Sequence, residues 1–171
     1  MRPSVVTAVL LLLGVINSVV VLSASVPPWE ICSKIPQKPC AVHGWVHYNG
    51  KHCMTYVSEK KTFHEAKERC HCMGAELMSI HNEDENNYAM CLSFYNHSPS
   101  HPVSFWIGGH RSKGEFKFTD GTAFKYTKWA PLEPFNYGGK EDCVELNYKD
   151  WGLWNDSVCT ALNNFVCIKK N

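Results

Sequence analysis

The chain has 171 residues, a formal net charge of +1 and nine cysteines, with 44% of its residues hydrophobic and 19% charged. That length suits one domain with one core, and no Lys/Arg run is dense enough to leave a nucleic-acid footprint. Nine cysteines in so short a chain imply a disulfide framework formed in an oxidising compartment, and the odd number leaves at least one over.

The amino terminus reads as an export signal. Arg2 precedes the apolar run of residues 5–22, which is followed by Ser23, Ser25 and the helix-stopping pair Pro27 and Pro28. This predicts a signal peptide over residues 1–25, cut before Val26. The run also approaches the length of a membrane anchor, although Gly14, Asn17 and Ser18 dilute it. With no second long apolar segment, the mature chain is expected to be secreted, extracellular and free of a membrane span. Residues 26–39 carry four prolines and read as an extended leader before a domain over 40–171.

Within the domain, WVHYNGKHCMTYV predicts a hairpin around an Asn49-Gly50 turn. The spacing of Phe63, Ala66, Lys67 and Cys70 predicts a first helix, begun at Ser58 and ended near Gly74. Residues 79–92 read as a second helix, whose first-turn acids Glu83, Asp84 and Glu85 suit the positive end of its dipole. Beyond Pro102, SFWIGG, EFKFTDGTAFKYTKW, DCVELN and NFVCIKK are rich in aromatic and β-branched residues and predict short strands. Helices first and strands afterwards, with no βαβ alternation, indicate an α+β domain. A metal cluster on Cys70, His71 and Cys72 lacks a second spaced pair. Nine histidines fall in no HExxH motif, and no GxSxG elbow or phosphate-cradling loop occurs, so an enzyme is not expected.

The strings CAVHGWVHYNGKHC, EAKERC, FWIGG, TDG, EPFN with EDCVELN, LWNDSVC and FVC, in that order from Cys40 to Cys167, resemble the C-type lectin-like domain in its long form. WIGG and NYGGKEDC are similar to lectins of the fish type. The resemblance implies two helices with antiparallel sheets and a long calcium and sugar loop region. It also implies three disulfides: Cys40–Cys53, Cys70–Cys167 and Cys143–Cys159. Cys72 and Cys91 lie outside that set and are expected to pair. Cys32 is then left for an interchain bond in a disulfide-linked homodimer, or else for a small thiol or a different pairing.

The resemblance also implies a site. Calcium prefers six to eight oxygen ligands, chiefly carboxylates and amide carbonyls. The family's ligand positions carry over to Glu133, Phe135, Glu141, Asn155 and Asp156, of which four keep an oxygen. Three carboxylates still face a doubly charged ion, so Ca2+ binding is expected to weaken rather than vanish. Glycans or glycoproteins are the expected partners, contacted by Glu133, Phe135, Asn136, Glu141 and Asn155. Phenylalanine has no hydrogen-bond donor, so the mannose preference of an EPN triplet is in doubt, while Phe135 or Tyr137 could stack on a hexose. A second calcium place is expected to be vacant, because Arg111 stands where an acid is needed. Of two sequons, Asn96-His97-Ser98 is a possible glycosylation site, and Asn155-Asp156-Ser157 overlaps the calcium ligands. Two functions remain open: a calcium-dependent lectin, favoured by the retained oxygens, and a calcium-independent protein-binding or ice-binding scaffold, favoured by the altered triplet.

Overall fold

The computed structural model describes residues 26–97 and 100–171. The expected signal peptide lies outside the described residues. Three helices, α1 (Pro28–Ser33), α2 (Phe63–Cys72) and α3 (Glu83–Asn96), pack against eight strands: β1 (Val46–Tyr48), β2 (His52–Lys61), β3 (Glu76–Leu77), β4 (Phe105–Ser112), β5 (Glu115–Phe118), β6 (Glu141–Leu146), β7 (Trp154–Val158) and β8 (Asn163–Lys170). The strands form one sheet in the order β1-β2-β8-β4-β6-β7, with β3 on β8 and β5 on β4. The α+β class holds, with two corrections. The β4–β8 pairing is parallel, and the leader contains a helix where an extended chain was expected.

The hairpin forms as the sequence predicts. Asn49 and Gly50 both adopt positive φ, and Tyr48 pairs with His52 across the turn. The first helix, by contrast, begins at Phe63. Ser58–Lys61 continue β2, where Val57 and Lys61 pair with Phe165 and Asn163 of β8. The start signal is the capping box of Thr62 and Glu65, each side chain satisfying a backbone N–H of the other. The second helix likewise starts later, because Asn82 caps it by accepting from Glu85 N at 2.9 Å.

Four disulfides staple the layers. Cys40–Cys53, Cys70–Cys167 and Cys143–Cys159 match the implied pairings. The fourth joins Cys32 to Cys91. It corrects both the expected Cys72–Cys91 bond and the assignment of Cys32 to an interchain bridge. The cause is tertiary: α1 packs on α3 and brings the two Cα atoms within 5.3 Å, while Cys72, at the end of α2, is exposed and free. Closing a loop of 59 residues stabilises the fold by about 4 kcal/mol in the loop-entropy model.

The fold sets up the site through β4, β6 and β7. Gly109 of β4 allows close approach, since a Cβ there would meet Val144 Cγ2 at 2.8 Å and Phe124 at 2.9 Å. Trp154 of β7 is fully buried and donates from Nε1 to Asn86 Oδ1 of α3 at 2.7 Å, which fixes β7 against the helix layer. The strand that carries Asn155 and Asp156 is therefore held at both its edge and its face.

Candidate calcium and sugar loop

Between β5 and β6 the chain crosses an irregular segment whose far end, residues 133–141, carries three of the implied positions, Glu133, Phe135 and Glu141, while Asn155 and Asp156 lie on β7. Pro134 follows a cis peptide bond, Leu132 and Asn136 have positive φ, and Gly138 and Gly139 continue the reversal that delivers Glu141 into β6. Glycine meets the left-handed conformation at no steric cost, which lets two such residues stand side by side.

This turn folds the loop back on its own acids. Glu133 Oε2 accepts from Phe135 N at 3.0 Å, and Asp156 Oδ1 accepts from the same N–H at 2.9 Å. Asp156 Oδ2 accepts from Asn136 N at 3.0 Å, and Asn136 Oδ1 accepts from Glu141 N at 3.1 Å. Glu141 in turn accepts from Tyr137 N. Glu133, Asn136, Glu141 and Asp156 are thus joined through the N–H groups of three consecutive loop residues, Phe135 to Tyr137, and of Glu141 itself. Asp156 is fully buried, so its charge is balanced by these donors and by a residue the sequence reading assigned elsewhere.

That residue is Arg111. Its Nη2 donates to Asp156 Oδ2 at 2.9 Å, and its Nε lies 3.3 Å from Asp142 Oδ1. Its guanidinium sits 4.3 Å from the Phe116 ring centroid, and Phe116 packs against Phe124 and Trp129. Nothing local could have revealed the contact with Asp156, which spans 45 residues of sequence.

Asn155 takes a different place. Neighbouring side chains of a strand point to opposite faces, and in the β6–β7 ladder Asn155 pairs with Glu145 while Asp156 pairs with Val144. The Asn155 amide nitrogen donates to Glu145 Oε1 at 2.9 Å, and Asn163 donates to Glu145 Oε2 at 2.7 Å. Burial pushes the Glu145 carboxyl above its ordinary value; the two amides pull it back, and the charge on Glu141 pushes it up again. Glu145 was missed in the sequence because it reads there as one polar position in a strand. Asn155 is also buried, which leaves no room for a glycan in the folded state, whereas Asn96 is exposed at the end of α3. Ser98 of the Asn96 sequon lies outside the described residues.

The donor set fits a hard divalent cation in type. Glu133, Glu141 and Asp156 offer carboxylates, whereas Asn155 turns its amide to Glu145 on the other face of β7 and is not joined to them by any hydrogen bond among the described residues. Phe135 and Tyr137 offer no such oxygen from their side chains. They are 66% and 74% exposed, and their rings lie nearly parallel, 21° between planes with centroids 6.3 Å apart, which presents an aromatic surface beside the acids.

The Lectin C-type domain family model matches residues 59–169, more than half of the chain. C-type isolectin Sp-CL4 of Scorpaena plumieri is 36% identical over 141 residues, covering 82% of this chain and 95% of that protein. Among solved structures, the mouse scavenger receptor C-type lectin carbohydrate-recognition domain superposes with a TM-score of 0.66 at 29% identity, over 77% of this chain and 99% of that one. A calcium-independent type II antifreeze protein superposes with a TM-score of 0.64 at 28% identity, over 77% and 95%. The matched span, and the identity over most of both chains, lead to one conclusion: the chain belongs to the C-type lectin domain family.

Proposed function

We propose that the protein is a secreted, calcium-dependent carbohydrate-binding lectin that uses loop 133–141. The observation that carries this reading is the meeting of the Glu133 and Asp156 carboxylates at Phe135 N, next to Glu141 and beside the exposed Phe135 and Tyr137 rings. Glu133, Glu141 and Asp156 would hold Ca2+, joined by the Asn155 carbonyl only if that side chain turned away from Glu145, and the ion would supply a Lewis-acidic centre for vicinal sugar hydroxyls. Glu133, Glu141 and Asn136 accept or donate hydrogen bonds to those hydroxyls, and the aromatic pair covers the apolar face of the ring. Four disulfides among the described residues support export through an oxidising compartment.

A calcium titration by calorimetry, followed by a glycan array with and without chelator, tests the reading. Saturable calcium binding with a chelator-sensitive glycan signal is the expected result. Phe135→Asn, which returns an amide to the triplet, is expected to tighten calcium and sugar binding together. Unchanged sugar binding in that variant would count against this account of Phe135, and the absence of any calcium response would sink the lectin reading. A calcium-independent binding scaffold is the second reading. The contact of Arg111 with Asp156 favours it, because a fixed cation already occupies one face of a ligand carboxylate.

A further inference from the structure

In the loop, three donors from two places in the chain meet on a single buried carboxylate. Two are the loop amides of Phe135 and Asn136, and the third is the guanidinium of Arg111. A buried carboxylate with only neutral donors would carry an uncompensated charge, and a cation placed outside the loop by β4 removes that cost. Arg111 is itself constrained. It is 19% exposed, seated on the Phe116 ring and drawn outward by Asp142. The guanidinium therefore stands at a place set by the sheet and the aromatic cluster, and its position does not depend on the loop.

We propose that Arg111 is a built-in counter-cation that keeps loop 133–141 in its ligand-presenting shape when no calcium is bound. This rests on the lectin reading and deepens it: calcium completes the contact with sugar, while the shape of the loop is already secured by the chain. Arg111 is thus a positioning residue acting through Asp156.

Hydrogen exchange at the Phe135 and Asn136 amides, followed by NMR on the oxidised full chain, reads the proposal directly. In the wild type these amides should exchange within about 3-fold of the same rate in chelator and in calcium. In Arg111→Met they should exchange about 10-fold or more faster in chelator and recover in calcium, because the charge-assisted anchor is lost. Arg111→Lys should lie between the two. Amides of β8 report global stability. If they also speed up in Arg111→Met, Asp142→Asn provides a gentler loosening of the guanidinium, with a 2- to 3-fold rise expected at Phe135 and Asn136 alone. Wild-type amides that lose protection in chelator, or variants that leave both rates unchanged, would overturn the proposal. The glycan array is independent of this measurement. A protein that bound neither calcium nor sugar would end the lectin reading while the exchange rates in chelator still decided the role of Arg111.

Discussion

Replacing Asp156 with asparagine tests the frame on which the loop depends. The carboxylate is fully buried and accepts from Phe135 N at 2.9 Å, Asn136 N at 3.0 Å and Arg111 Nη2 at 2.9 Å. Asparagine keeps one acceptor oxygen, so one amide bond survives. Its NH2 then faces a donor, and Arg111 loses its closest counter-charge. Hydrogen bonds to a charged group contribute about 1.5–3 kcal/mol each, and breaking a buried pair costs about 3–5 kcal/mol. These overlap, since the Arg111 contact belongs to both, and the expected loss is about 3–5 kcal/mol. For a domain of this size that lowers Tm by roughly 10–15 °C. The assay is thermal and denaturant unfolding of the oxidised protein in chelator, which separates the protein's own share from that of any metal. Arg111→Met combined with Asp156→Asn should cost about 1–3 kcal/mol less than the sum of the two single changes. A loss under about 1 kcal/mol, or strict additivity of the pair, would refute the reasoning.

Three further outcomes are expected. Replacing Cys32 and Cys91 together by alanine opens a 59-residue loop and should cost about 4 kcal/mol in denaturant unfolding; non-reducing peptide mapping that found Cys91 joined to Cys72 would contradict the structure directly. Gly109→Ala inserts a Cβ within 3.0 Å of Val144 and Phe124 and should destabilise by about 1–3 kcal/mol, with a wild-type Tm showing that β4 and β6 are less closely packed than described. Glu145 has a folded-state pKa raised above its ordinary value of 4.5, so the stability it contributes is fully present below about pH 4.5 and is lost as pH rises through the raised value. Unfolding in chelator from pH 4 upward should therefore show wild type losing ground to Glu145→Gln as pH rises, and parallel curves would mean that the carboxyl is not perturbed.

The features legible in the sequence were those written by local chemistry. Asn49-Gly50 could only turn, Gly74 ended the first helix, and the acids of Glu83–Glu85 marked the first turn of the second. The helix starts are not legible, because Ser58 and Ser79 are as good caps as Thr62 and Asn82 when read alone. Pairing of β2 with β8 decided between the first two by claiming Ser58–Lys61 for the sheet. The loop acids Glu133 and Glu141 were readable because a short span of chain, rich in turn residues, joins them. Asp156 was readable through the ordered strings on either side of it.

The sequence by itself determined the family, through its ordered strings, and the resemblance carried three of the four disulfides with it. Only the tertiary structure decided that Cys32 meets Cys91, that the Asn155 amide turns to Glu145, and that Arg111 closes on Asp156. Those contacts join residues from different strands, helices and faces. Their proximity follows from strand register and from the packing of helix α1 on α3, which no spacing along the chain encodes.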